Sequence, residues 1–327
     1  MARDVDELDD ELLRVACACG SATGIGPVTW GRLLARGLDA GWLARAEAGA
    51  LAEAAEVPMA RAHRMLEAVR MVDPVAERVA MREHGVRGVV LGDADYPTRL
   101  AATHDPPAML WVRGDWGSMD WEDWWVAIVG SREATSGGQA IAFEWARALG
   151  DASCNIISGG ARGIDAAAHR GALAIRIPTV AILGCGLGVC YPAEHGELFQ
   201  SIVASGGSIL SELPMTAPPL GHHFPRRNRI LAALADATVV VEARIRSGAM
   251  VTARMACDLG REVCCVPGRP ADVNAEGCLV AIREGWASLA RGPDDVLEAL
   301  RAHVWRSIPA KWGGERVDST PSPPPRA

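Results

Sequence analysis

The stretch from Val126 to Asp165 constrains this chain more than any other, because it reads strand, turn, helix, strand, turn. Val126-Ala127-Ile128-Val129 is a short apolar run closed by Gly130-Ser131-Arg132, the pattern of a strand buried on both faces of a parallel sheet. Gln139 to Leu149 then sets Ile141, Phe143, Trp145, Ala148 and Leu149 at helical spacing, with Gly150 as the stop. Cys154-Asn155-Ile156-Ile157 is a second strand, which breaks into Ser158-Gly159-Gly160-Ala161-Arg162-Gly163-Ile164-Asp165 before Ala166 to Leu173 resumes helix. Both strands therefore end in a glycine-bearing turn that opens a helix. That puts free backbone N–H groups and helix N-termini at the carboxyl edge of the sheet, where anions bind. Arg132 and Arg162, one in each turn, add planar guanidinium forks suited to phosphate oxygens.

Two familiar phosphate sites are excluded. No G-x-G-x-x-G follows the first strand and no G-x-x-x-x-G-K-[ST] occurs. Lys311 is the sole lysine, so the core holds neither a Walker lysine nor a Schiff-base lysine. No cofactor or metal signature is read either: H-E-x-x-H and G-x-S-x-G are absent, and His222-His223 stands alone. Asp165 and Glu242 fall at strand ends, where they are expected to orient arginines rather than act in catalysis.

The remaining segments repeat the alternation. Thr179 to Leu183, Ser208 to Leu210, Thr238 to Glu242 and Glu262 to Val266 read as further strands. Glu194 to Ser205 and Ala249 to Leu259 read as helices between them. This order implies an α/β fold, an extended Rossmann-like, doubly wound and mostly parallel sheet with right-handed crossovers. Gly88 to Gly92 and the segment beyond Asp105-Pro106-Pro107 supply outlying strands, and Trp124 and Trp125 are read as capping a sheet edge or interface. Residues 1–80 are alanine-rich and helical. There Thr23-Gly24-Ile25-Gly26 suits the turn of a helix-hairpin-helix (SAM-like) module, and Trp42 to Glu53 and Pro58 to Arg70 read as a helical pair. The domain organisation expected is thus 1–80, 81–292, and 293–327 as a short helix with a disordered Pro-rich tail.

The loop His222-His223-Phe224-Pro225-Arg226-Arg227-Asn228-Arg229-Ile230 places three arginines, an amide and an aromatic ring at a helix start. Positive charge is unfavourable there unless an anion arrives, and the combination suits single-stranded nucleic acid. Helical spacing puts Arg226 and Arg229 on one face and turns Arg227 toward the sheet edge or a carboxylate. The net charge of −7 confines any such interface to a local patch. The acidic start of the chain carries no secretory signal, the hydrophobic content of 49% contains no membrane-length run, and nine scattered cysteines suit a reduced, cytoplasmic setting.

Taken together, these segments resemble the DNA-processing protein A (DprA/Smf) family. The resemblance rests on Tyr96-Pro97, Asp105-Pro106-Pro107, Val126 to Arg132, Ser158 to Asp165, Gly184-Cys185-Gly186, Tyr191-Pro192, Ser211 to Pro214, Phe224 to Ile230, Val241-Glu242-Ala243, Ser247-Gly248 and Val266-Pro267-Gly268. It implies a non-catalytic, homodimeric protein that binds and protects incoming single-stranded DNA in natural transformation and loads the RecA recombinase. The DNA-binding residues implied are Gly130, Ser131, Arg132, Ser158, Gly159, Gly160, Arg162, Gly163, Phe224, Arg226, Arg227, Asn228 and Arg229. Three features depart from the family pattern: Leu279 and Ala281-Ile282 replace an asparagine and a leucine-isoleucine pair, Thr135 replaces a serine, and the winged helix common at the C-terminal end is not recognised. The alternative is a nucleotide-binding or nucleotide-processing enzyme, phosphoribohydrolase-like, on the same fold, against which the missing P-G-G-x-G-T turn counts.

Overall fold

The computed structural model describes residues 2–20 and 25–307; Thr23 and Gly24 of the hairpin and the Pro-rich tail lie outside them. Among the described residues the short apolar runs assemble into one sheet. Its strands are β1 (Arg87–Val90), β2 (Met109–Gly114), β3 (Trp125–Val129), β4 (Asn155–Ser158), β5 (Thr179–Ile182), β6 (Ser208–Ser211), β7 (Ala237–Val240), β8 (Glu262–Cys265) and β9 (Ser288–Leu289). Their order is β1-β2-β6-β5-β4-β3-β7-β8-β9. From β6 to β9 every pair is parallel. β1 and β2 extend the sheet in antiparallel register, Val112 facing Leu210 of β6.

The N-terminal helices are α1 (Asp10–Gly20), α2 (Pro27–Ala35), α3 (Ala40–Arg45), α4 (Ala48–Ala55), α5 (Met59–Met71) and α6 (Pro74–Glu83). The expectation of one helix from Trp42 to Glu53 is corrected. The backbone turns extended at Ala46 and Glu47, which ends α3 and starts α4. After α7 (Thr98–Ala101), the sheet carries α8 (Ser136–Asp151), α9 (Ile164–Ala174), α10 (Gly196–Ala204), α11 (His223–Leu234), α12 (Gly248–Asp258), α13 (Glu276–Arg283) and α14 (Pro293–Ser307).

Alternation along each strand decides which layer it feeds. Trp125, Ala127 and Val129 of β3 pack with Ile230, Leu231 and Leu234 of α11 and Ala253 of α12. Val126 and Ile128 pack on the other side with Ala142 and Leu149 of α8, Ala168 of α9 and Val296 of α14. All five β3 residues are buried, and a fully buried Val or Ile contributes about 1.5–3 kcal/mol. Farther along that second face, Trp111, Ala181, Ile209 and Met215 share a core with Leu13, Leu33, Leu43 and Met65 of the N-terminal helices. The helical region is therefore packed onto the β2 end of the sheet. Trp121 stacks on Trp125 at a centroid distance of 4.5 Å and Trp116 tilts against Trp121 at 4.8 Å, beside the start of β3.

Candidate nucleic-acid interface

The strand order reverses at β3. From there the chain winds through β4, β5 and β6 on one side and resumes with β7, β8 and β9 on the other. The crossover connections diverge at this point, leaving a crevice beyond the carboxyl ends of β3 and β7. A cavity of about 670 Å³ occupies it. Gly130, Ser131 and Arg132 enter after β3, Gly159 and Ala161 after β4, Phe224, Arg227 and Asn228 from α11, and Arg244, Arg246 and Ser247 after β7.

The turns are held by their own internal bonds. Gly163 has φ of +73°, and a Cβ there would lie 2.3 Å from the Ser131 carbonyl; only glycine lets the two turns approach this closely. The expectation of free amides is corrected at two places. The Ser131 N–H donates to the Glu242 carbonyl at 2.7 Å, and the Ala161 N–H donates to the Asp165 carboxylate at 3.3 Å. Asp165 thus fills the second turn with an internal anion. Burial raises its pKa, and the Arg227 charge counters this most strongly. Glu242 accepts from the Thr135 N–H at 2.9 Å and from its hydroxyl at 2.5 Å. The same hydroxyl accepts from the Gly138 N–H at 3.0 Å, capping α8. Glu242 is therefore bonded to a helix cap rather than to an arginine, and Thr135 keeps the hydroxyl that this cap needs.

Cationic groups face the cavity from three directions. Arg132, Arg227, Arg244 and Arg246 line it against two carboxylates, Glu133 and Asp165. Arg132 is exposed and lies over the Phe224 ring at 4.9 Å. Tyr191 lies beside the same ring at 5.6 Å between centroids. The result is a half-buried aromatic platform with a guanidinium on it. Arg227 is buried and donates to the Gly159 carbonyl at 2.5 Å. Burial lowers its pKa to about 10, so it remains charged at neutral pH.

The expected residues divide into four groups. Gly130, Ser131, Arg132, Gly159, Phe224, Arg227 and Asn228 line the main cavity. Gly160 and Arg162 line a smaller recess next to it, together with Tyr191 and Phe224; Arg162 there is exposed and paired with Glu194. Ser158 is fully buried and donates to the Ile128 carbonyl at 2.6 Å, and Gly163 shapes the turn. Arg226 and Arg229 do share a face, but it is turned from the cavity. Both pair with Glu212, at 3.2 and 2.5 Å, and Arg229 also pairs with Asp105 at 3.0 Å. The apolar stripe explains this orientation: Ile230, Leu231 and Leu234 are buried, and Arg227 lies on that stripe at i+3, i+4 and i+7 spacing. Arg244 and Arg246 were not anticipated. Their signal is Ala243-Arg244-Ile245-Arg246-Ser247 itself, a strand end carrying two arginines before the Ser247 cap of α12.

The sequence profile of the family described as DNA recombination-mediator protein A matches residues 87–301. Protein Smf of Escherichia coli is 40% identical over 206 residues, covering 63% of this chain and 54% of that protein. DNA processing protein DprA of Streptococcus pneumoniae is 37% identical over 205 residues, covering 63% of this chain and 71% of its own length. The aligned stretch spans about half of the E. coli and Mycobacterium tuberculosis relatives, at 54% and 49%. The X-ray structure of the S. pneumoniae DprA superposes with a TM-score of 0.74 at 29% identity, covering 89% of this chain and 98% of that one. A Helicobacter pylori DNA processing protein A, described for its single-stranded DNA binding mode, superposes with a TM-score of 0.58 at 28% identity, covering 66% and 96%.

Proposed function

Because this chain belongs to the DNA recombination-mediator protein A family, we propose that the cavity at the β3/β7 crevice holds single-stranded DNA. The observation that carries this reading is the Arg132–Phe224–Tyr191 platform beside Arg227, Arg244 and Arg246. A single strand offers unstacked bases and a continuous row of phosphates, and a π-face next to guanidinium cations matches both. A duplex keeps its bases stacked and has no use for the ring. Backbone contacts are carried chiefly by side chains, since the turn amides at Ser131 and Ala161 are already bonded.

Within this proposal the protein is a mediator and not an enzyme. It shields incoming single strands in natural transformation, works as a cytoplasmic homodimer and loads RecA; these roles rest on family membership. No helix among the described residues is long and apolar enough to cross a membrane.

Fluorescence anisotropy with labelled oligothymidine, its duplex and competing nucleoside monophosphates tests the reading. Binding of the single strand in preference to both competitors is expected. Displacement of the strand by millimolar mononucleotide, with no preference for length, would favour a small-nucleotide site instead.

A further inference from the structure

Arg226 and Arg229 do not face the cavity, yet through Glu212 they tie α11 to a connection that reaches it. The segment Glu212–Gly221 runs from the end of β6 to the start of α11. On one side it is fastened to the N-terminal helices. Glu77 of α6, buried, accepts from the Met215 N–H at 2.9 Å. The last carbonyls of α1, Cys19 and Gly20, accept from the Arg226 guanidinium at 2.6 and 3.3 Å, and Glu212 joins that cation at 3.2 Å. Contact is also steric: a Cβ at Gly20 would lie 2.6 Å from the Pro214 ring and 3.4 Å from the Glu212 carbonyl.

On its other side the same segment shapes the cavity. Pro219 and Gly221 line it, and Phe224 and Arg227 follow within the first turns of α11. The His223 ring donates to the Pro218 carbonyl at 3.0 Å. The segment also fixes the turn after β5, where the Gly186 N–H donates to the Ala217 carbonyl at 2.9 Å and the Gly188 N–H to the Met215 carbonyl at 3.0 Å.

We infer that Glu212–Gly221 is a strap through which the N-terminal helices set the geometry of the cavity mouth, so that docking of α1 and occupancy of the cavity by single-stranded DNA stabilise one another. The inference rests on the proposed function for the identity of the ligand. Arg226 is then a positioning residue and not a phosphate contact. Linkage makes the effect reciprocal: whatever loosens α1 weakens the strand, and the strand tightens α1.

The test uses the full chain with Gly20→Ala, which adds a methyl against Pro214 and changes no charge, and Arg226→Ala. Oligothymidine affinity is measured across a salt series, with amide hydrogen exchange of α1 followed with and without the oligonucleotide. The expected result is a loss of affinity on the order of fivefold in both variants with the salt slope unchanged. Exchange in α1 should slow on strand binding in the wild type and much less in the variants. Unchanged affinity in Gly20→Ala with α1 exchange insensitive to the strand overturns the inference. So does a slope lowered by about 0.7 in Arg226→Ala, the signature of a phosphate contact on a single strand. Should Gly20→Ala fail to fold, Arg226→Lys decides, since it keeps the charge but loses the fork on Cys19 and Gly20, and wild-type affinity there overturns the inference. Failure of the wild type to bind would fall on the proposed function first, whereas wild-type binding with indifferent variants falls on the strap alone.

Discussion

Phe224 carries the platform through its position rather than its type: Arg132 approaches its ring at 4.9 Å and Tyr191 at 5.6 Å. Removing the ring should cost about 1–3 kcal/mol of single-strand binding, the worth of one stacked base. Phe224→Ala in a titration with oligothymidine checks this, with duplex binding expected to change much less. Gly163 makes a different prediction. With φ of +73° and the Ser131 carbonyl 2.3 Å from any added Cβ, Gly163→Ala should destabilise the fold by at least about 1–3 kcal/mol, read as a lowered midpoint of urea unfolding. A wild-type midpoint would show that the two turns are not packed as described.

At the scale of elements, α6 and α11 carry the polar ties of the sheet edge. Burial raises the pKa of Glu77 on α6, and its bonds to Met215, Trp111 and Cys17 only partly offset that. A carboxyl with a raised folded pKa stabilises the fold fully below its unfolded pKa, and that contribution is lost as pH rises through the folded value. Glu77→Gln keeps the oxygen that accepts from Met215 and does not titrate. Its stability relative to wild type should therefore grow from about pH 4 to pH 7, measured by denaturant unfolding at each pH; a constant difference would contradict the burial of this carboxyl. On α11 the sequence is readable in part. Four residues with basic or amide heads share its first turns, and the i, i+3 pairing of Arg226 with Arg229 is visible in their spacing. The inward turn of Arg227 is legible from its register with Ile230, Leu231 and Leu234, and it ends on the Gly159 carbonyl. That Arg226 and Arg229 meet Glu212 and not the cavity is not legible, because that carboxylate lies outside the helix, at the end of β6.

Over the whole molecule, the parallel strands are legible because burial on both faces leaves them as short apolar runs, as in Val126 to Val129 and Thr179 to Ile182. The glycine turns mark their carboxyl ends, and the crevice between β3 and β7 follows from the alternation. The antiparallel pairing of β2 with β6 and the strap from Glu212 to Gly221 are not legible. They depend on contacts between distant segments, such as Val112 with Leu210 or Glu77 with Met215, which leave no local period. The same holds for the turn amides, which meet Asp165 and the Glu242 carbonyl and not an external anion. On the proposed function, phosphate binding falls to exposed guanidiniums, above all Arg132, which makes no ion pair among the described residues. The most direct measurement is the salt dependence of oligothymidine affinity in wild type and Arg132→Ala. Weaker binding with a slope lowered by about 0.7 for each phosphate no longer neutralised is the result predicted for a strand held at this crevice. An unchanged affinity and slope would place the strand elsewhere on the protein and contradict the site.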